Sequence, residues 1–89
     1  MKVISKQVHF ESDSGDILIV NVTAVGQREV DVRFETWSNG YKQYEDVRLS
    51  DTIYLDRISN ILISLGLLSG FDVGEIVNFI YYSECYHES

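Results

Sequence analysis

The residue types that could carry nucleophilic chemistry lie near the two ends of the chain. Cys85 and His87 are two positions apart in a segment with helical periodicity, and such positions point about 200° away from each other on a helix. They therefore cannot form a nucleophile–base pair, which requires hydrogen-bond contact. His9 lies in the first predicted strand, and a pairing of His9 with Cys85 stays open. The favoured interpretation of Cys85 is a small apolar residue near the last turn of a helix.

Carboxylates are the second kind of candidate, and most have a structural role in the predicted fold. Asp31 and Asp46 have predicted cross-strand cations. Asp72 and Glu75 are predicted to cap a helix. Asp13 and Asp16 lie in a predicted turn, where short acidic residues are common. No pair is left to supply the differently tuned carboxyl groups of a hydrolase. The sequence around Asp13 lacks the ligand set of a calcium loop, and no glycine-rich loop precedes a helix. We therefore expect no catalytic residue, no metal site, no cofactor and no enzymatic activity.

The composition favours a small, acidic, globular domain. The 89 residues fit a single domain at positions 1–89, and 45% hydrophobic residues are enough for a core. The formal net charge is −7 and the pI is about 4.5, which argues against direct binding to nucleic acid through a basic surface. No apolar run reaches the roughly 18 residues that a membrane span needs. The first residues do not resemble a signal peptide, so we expect a cytoplasmic protein.

Periodicity divides the sequence into a strand-rich first half and a helical last third. Alternating apolar and polar residues predict strands at about 3–11, 16–25, 29–37 and 42–49, and a 3.6-residue period predicts helices at about 51–68 and 73–87. The first helix could begin near Ser50 or near Asp56, and Ser69-Gly70 is expected to end it. The predicted fold class is α+β: a four-stranded antiparallel meander followed by a two-helix hairpin packed on one sheet face, in the order ββββαα.

The turns between the strands set the expected register. A three-residue loop that ends at a left-handed Gly15 places the apolar residues of the first two strands on one face. Asn39-Gly40 is strongly favoured in a type I′ turn, and this turn sets Arg33 opposite Asp46. The opposite charges agree with the apolar pattern, which supports the same register.

The second predicted helix has clear start signals. Asp72 can cap its N-terminus while Glu75 returns a hydrogen bond, and Phe71 can pack against Ile76. The residues expected to face the core are Val73, Ile76, Val77, Ile80 and Tyr81.

One cluster is left on the sheet face that points away from the helices. The predicted partner-binding residues there are His9, Ile17, Ile19, Glu35, Trp37 and Tyr44, with Glu11 and Lys42 beside them. Trp and Tyr are favoured anchors of interfaces, and large exposed apolar patches on small proteins usually mark a binding site. The alternative is a weak surface cluster in which Lys42 lies over Trp37.

The second helix offers a rival surface. Phe79, Tyr82 and Tyr86 lie off its core-facing stripe, so the helix is apolar on more than one side. Such a helix is usually buried on two sides, and a second copy of the chain could cover the second side as a homodimer. The alternative is that this face packs on the sheet at a steeper angle.

These features favour a non-catalytic acidic protein-binding module. A small protein of net charge −7 is steered toward basic surfaces, including the nucleic-acid-binding surfaces of larger proteins. In size, acidity and lack of catalytic residues the chain is similar to phage and plasmid inhibitors, such as anti-CRISPR and anti-restriction proteins, and to bacteriocin immunity proteins. That similarity implies an inhibitor or adaptor that docks on a basic surface of a larger protein, without binding nucleic acid or membrane itself. The alternative is a small homo-oligomeric structural or regulatory subunit assembled through the aromatic second helix.

Overall fold

The computed structural model describes residues 5–25, 29–38, 41–50, 54–67 and 70–81. They form one four-stranded antiparallel sheet followed by two helices, which confirms the predicted α+β class and the order ββββαα. The elements are β1 (Ser5–Glu11), β2 (Ile17–Ala24), β3 (Glu29–Ser38), β4 (Tyr41–Ser50), α1 (Tyr54–Ser64) and α2 (Val73–Tyr81). The strand order is β1-β2-β3-β4, so β1 and β4 are the edges. Residues 3–4, 51–53, 68 and 82–87, which the sequence assigned to strands or helices, lie outside the described residues.

The described strand pairs have the register that the sequence predicts. Arg33 of β3 faces Asp46 of β4, as an Asn39-Gly40 type I′ turn requires, although those two turn residues themselves lie outside the described part. Between β1 and β2, Gly15 has a φ of +90°, which confirms the left-handed residue of a three-residue loop. Because the register is regular, the pleat separates the side chains of each strand into two alternating sets.

Apolar side chains from all four strands and both helices form one core. Its buried members are Leu18, Val20, Val22, Val30, Val32, Phe34 and Leu49 from the strands, and Ile58, Ile61, Leu62, Leu65, Leu67, Phe71, Ile76 and Ile80 from the helical part. Burial of one such side chain contributes roughly 1.5–3 kcal/mol, so this cluster determines which sheet face the helices cover. The opposite sheet face is called the open face below.

α1 ends earlier than the sequence predicts. Its last residue is Ser64, and Gly66 follows with a φ of +75°, a left-handed conformation that glycine adopts at little cost. The N–H of Gly66 donates to the carbonyl of Ile63 (3.0 Å), and the N–H of Leu67 donates to the carbonyl of Leu62 (2.7 Å). These are the two bonds of a Schellman motif, so the helix is closed before the predicted end.

The prediction that Ser69-Gly70 caps α1 is therefore wrong, and Gly70 has a different role. Its φ is +96°, and a Cβ placed on it would lie 2.9 Å from the Cβ of Ser12. Ser12 is buried in the turn between β1 and β2, where its hydroxyl accepts the N–H of Asp16 at 3.0 Å. The absence of a side chain at Gly70 lets the connection between the helices approach this turn. The described part of α1 begins at Tyr54, between the two predicted starts.

α2 begins at the predicted cap, but fewer of its residues face the core than the sequence predicts. The Asp72 carboxylate accepts the N–H groups of Gly74 (2.9 Å) and Glu75 (3.3 Å), as an N-cap does. Ile76 and Ile80 are fully buried, and Val73 and Val77 are half-buried against the core. Tyr81 was also expected at the core, but it is 39% exposed. The reason is that Tyr81 lies about 140° around the helix from Ile76, beyond the buried stripe.

Candidate functional site

The open face brings the predicted partner-binding residues together in two neighbouring rows across the sheet. One row runs Glu11, Ile17, Trp37, Lys42, and the other runs His9, Ile19, Glu35, Tyr44. Ile17, Trp37 and Tyr44 are 38%, 39% and 44% exposed, and Ile19 is half-buried among them. These four apolar and aromatic residues are called the apolar patch below. The patch lies at one end of the sheet, because Ile17 is the first residue of β2 and Trp37 is the last but one of β3.

Trp37 is held in one orientation by its neighbours. Its indole Nε1–H donates to the Glu35 carboxylate at 2.7 Å, and the Lys42 ammonium lies 5.1 Å from its ring centroid. The same ammonium is 3.8 Å from the other oxygen of Glu35. A charge-assisted hydrogen bond and a cation–π contact thus fix the side chain from two directions. The ring is exposed, and these two contacts restrict its rotamers, which lowers the entropy that a partner would have to remove.

Tyr44 lies between two cations. The Arg33 guanidinium carbon is 4.3 Å from its ring centroid, and the Lys42 ammonium is 4.9 Å from it. Hydrogen bonding to Tyr44, and less strongly the charge of Glu35, raises the pKa of Lys42 above its ordinary value of 10.5. Lys42 therefore stays fully protonated at neutral pH and links the two aromatic rings of the apolar patch.

Beyond the apolar patch, the open face is polar. Arg48 donates to Asp31 at 3.0 Å and Arg33 lies 3.8 Å from Asp46, so both carboxylates have the cross-strand cations predicted from the sequence. A depression of about 580 Å³ opens above these pairs and extends to Asn21. Exposed ion pairs of this kind contribute at most about 1 kcal/mol each. They make this part of the face charged and well solvated rather than apolar.

The sequence did not predict the stacking of Arg33 on Tyr44. Arg33 is two positions before Glu35, which is the direct cross-strand neighbour of Tyr44. Such diagonal neighbours are within reach of long side chains. The register therefore contains this contact as a diagonal pair, whereas directly opposed pairs alone match Arg33 with Asp46.

The described residues include only part of the remaining predicted sites. His9 is exposed on β1, at the edge of the apolar patch. Phe79 is half-buried and packs against the core, whereas Tyr82 and Tyr86 lie outside the described residues, as do Cys85 and His87. The α2 dimer contact consequently stays a prediction.

Neither a metal cluster nor a membrane-spanning helix is found within the described ranges. No group of three or more His, Cys, Asp or Glu residues there could hold a metal ion. No helix in the same ranges is long and apolar enough to cross a membrane. Comparison of the chain with protein families, with curated proteins and with solved structures gives no match.

Proposed function

We propose that the chain is a non-catalytic acidic protein-binding module that docks through the apolar patch on a basic surface of a larger protein. The observation that carries the proposal is the exposure of Trp37, Tyr44 and Ile17 together on a sheet face that the helices leave uncovered. Aromatic residues in such a position contribute little to folding, but their remaining surface is desolvated when a partner binds. A Trp that is hydrogen-bonded to a carboxylate is a suitable anchor for a partner that carries both apolar and basic groups.

The charge of the protein supports a basic partner. A net charge of −7 on 89 residues raises the encounter rate with positively charged surfaces. Surfaces that bind nucleic acid are basic because they must neutralise phosphates. An acidic domain that occupies such a surface acts as an inhibitor of nucleic-acid binding, or as an adaptor. The class that we propose is that of phage anti-defence proteins, including anti-CRISPR and anti-restriction proteins, or of immunity proteins.

The test combines capture of a partner with two matched variants. The wild-type chain is immobilised, proteins from host lysate are captured, and each captured protein is purified for binding kinetics. Trp37→Ala removes the central anchor, whereas Leu55→Ala removes a residue of α1 that is 56% exposed and lies outside the sheet. We expect Trp37→Ala to weaken binding by about 2 kcal/mol or more, roughly 30-fold, and Leu55→Ala to leave it unchanged.

Stability measurements provide the necessary control. We expect Trp37→Ala to change the free energy of unfolding by less than about 1.5 kcal/mol, because the contacts it loses are surface contacts. Binding should also weaken as the salt concentration rises, since the attraction is partly electrostatic. A purified partner that binds Trp37→Ala as tightly as the wild type would contradict the proposed docking site. Unfolding of Trp37→Ala would instead show that the ring belongs to the folding core.

A further inference from the structure

β1 has an outer edge that no described strand pairs with. Across the first turn, the N–H of Ser12 donates to the carbonyl of Asp16 at 2.9 Å, so these residues form a hydrogen-bonded pair. Such pairs alternate with non-hydrogen-bonded pairs along an antiparallel ladder. Val8, four positions before Ser12, therefore directs its backbone groups toward β2. By the same alternation, the N–H and C=O groups of Gln7 and His9 point outward from the sheet.

The other edge of the sheet carries more charged residues than β1, whose charged side chains are Lys6 and Glu11. β4 carries Lys42, Glu45, Asp46 and Arg48, and Arg57 of α1 lines a depression together with Glu45 at this edge. Charged side chains and a neighbouring helix are devices that block the addition of a further strand. β1 contains no proline, and its register with β2 is regular, without a bulge, from its first residue to its last. The register of β4 with β3 is equally regular, so the two edges of the described sheet differ in charge and in the neighbouring helix, and β1 has fewer obstacles to an incoming strand.

The side chains of β1 add an apolar reason for pairing. Val8 and Phe10 pack against the core from the edge of the sheet and remain half-buried. A strand added beside β1 would cover their outer sides and extend the core across the new strand.

We propose that β1 pairs in antiparallel orientation with β1 of a second copy of this chain, about a two-fold axis that passes beside Val8. An axis perpendicular to the sheet keeps the helices of both copies on the same side, so that like faces meet. The opposed residues are then Val8 with Val8, Lys6 with Phe10, Gln7 with His9, and Ser5 with Glu11.

This register is self-complementary. No like charges face each other in it, and the outward-pointing backbone groups of alternate residues form the new hydrogen bonds. The two Val8 side chains meet at a non-hydrogen-bonded position, where Cα atoms are only about 4.5 Å apart. Lys6 faces an aromatic ring, with which a cation interacts favourably. The inference does not rest on the proposed function, because the apolar patch stays exposed in both copies.

The overall charge predicts how the dimer responds to salt. Two copies with a net charge of −7 each repel one another at long range, and salt screens this repulsion. We therefore expect the dimer to become tighter as the salt concentration rises from 0.05 to about 0.5 M. Binding to a basic partner should become weaker as the salt concentration rises. The salt dependence of the affinity therefore distinguishes the two proposals.

Sedimentation equilibrium of the full chain tests the inference. For the wild type we expect the mass to rise from 10.2 kDa toward twice that value with increasing protein concentration. Gln7→Pro removes an outward N–H that no described residue uses, and it should weaken the dimer about 30-fold or more. Asp46→Pro is the matched control on the β4 edge and should dimerise as the wild type does. A wild-type protein that stays monomeric up to about 1 mM in high salt would overturn the proposal.

A second pair of variants is used in case proline disturbs folding. Val8→Lys places two ammonium groups at the two-fold axis, while Val47→Lys makes the same change at a half-buried residue of β4. The inference requires that Val8→Lys be monomeric and that Val47→Lys dimerise, with circular dichroism showing that both are folded. If Val8→Lys still dimerises, the contact lies elsewhere and the inference is wrong. Loss of that residual dimer in Phe79→Ser would assign the contact to α2.

Discussion

Substitution of Gly70 tests the contact that joins the helical part to the sheet. Gly70 has a φ of +96°, and an added Cβ would lie 2.9 Å from Ser12 Cβ and 3.6 Å from Ser12 Oγ. Real Cβ atoms do not approach other carbons so closely, so either the turn or the connection between the helices must move. Movement of Ser12 also disturbs its hydrogen bond with the Asp16 N–H. We therefore expect Gly70→Ala to destabilise the protein by both strain and steric overlap.

The magnitude follows from a comparison with Gly15. That residue has a φ of +90°, and nothing lies within 4 Å of a Cβ placed on it. A left-handed alanine costs roughly 1–2 kcal/mol, partly offset by about 0.4–1 kcal/mol from the less flexible unfolded chain. Gly15→Ala should thus cost about 0.5–1.5 kcal/mol. Gly70→Ala adds an overpacking cost of about 1–3 kcal/mol, and the difference between the two variants isolates the contact with Ser12.

Urea unfolding monitored by Trp37 fluorescence and circular dichroism gives both free energies. The double-mutant cycle with Ser12→Gly is decisive, because that change removes the atom with which the new Cβ collides. In the Ser12→Gly background, Gly70→Ala should cost no more than Gly15→Ala does. If Gly70→Ala is no worse than Gly15→Ala in the wild-type background, the close packing of turn and connection is refuted.

Three further predictions concern single residues. Asp72→Ala should lower the free energy of unfolding by about 1 kcal/mol, because the N–H groups at the start of α2 lose their acceptor; an unchanged denaturation midpoint would contradict the cap. Because the pKa of Lys42 is raised, the stability that it contributes is present below pH 10.5 and is lost as the pH rises through the folded-state value. Tyr44→Phe should move that pKa back toward 10.5, and an NMR titration of the Lys42 side chain that shows no change would exclude the Tyr44 contribution. Once a partner is known, Asp13→Lys should slow association and reduce its salt dependence, with little effect on dissociation; an effect on dissociation alone would place Asp13 inside the interface.

The sheet could be predicted because several independent signals agreed on one register. The Asn39-Gly40 turn, the apolar alternation and the opposite charges of Arg33 and Asp46 all require the same pairing. A slip by one residue would have turned the apolar set of a strand to the open face and broken the charge pairs as well. Local and tertiary preferences therefore coincide in the strands, which makes their register readable from the sequence.

The end of α1 was harder to predict because the sequence offers more than one glycine. Gly66 and Gly70 each follow a leucine-rich run and each have a positive φ, so either fits the chemistry of a helix end. The distinction depends on packing: Gly70 is needed at the turn around Ser12, which is distant in sequence. A helix-end rule uses only neighbouring residues and has no access to that contact.

The sequence predicted which residues form the candidate site, but it did not predict the contacts among their side chains. The register alone placed Trp37 and Tyr44 together on the open face, and both are exposed there. It did not show that Glu35 would bind both the indole N–H and Lys42, because side-chain rotamers select among several nearby partners. The residues of a sheet surface thus follow from pairing, whereas their hydrogen bonds depend on side-chain geometry.

The acids that would attract a basic partner are not the ones that form ion pairs on the open face. Its described ion pairs are Asp31 with Arg48, Asp46 with Arg33 and Glu35 with Lys42. Each pair joins one acid to one base, so together they contribute nothing to the net charge of −7. The excess negative charge belongs to acids outside these pairs, among them Asp13 and Asp16 in the turn that adjoins Ile17. A basic partner would be attracted by that surrounding charge and would then desolvate the apolar patch, where the Glu35 carboxylate is already paired with Lys42 and costs less to bury than an unpaired carboxylate would.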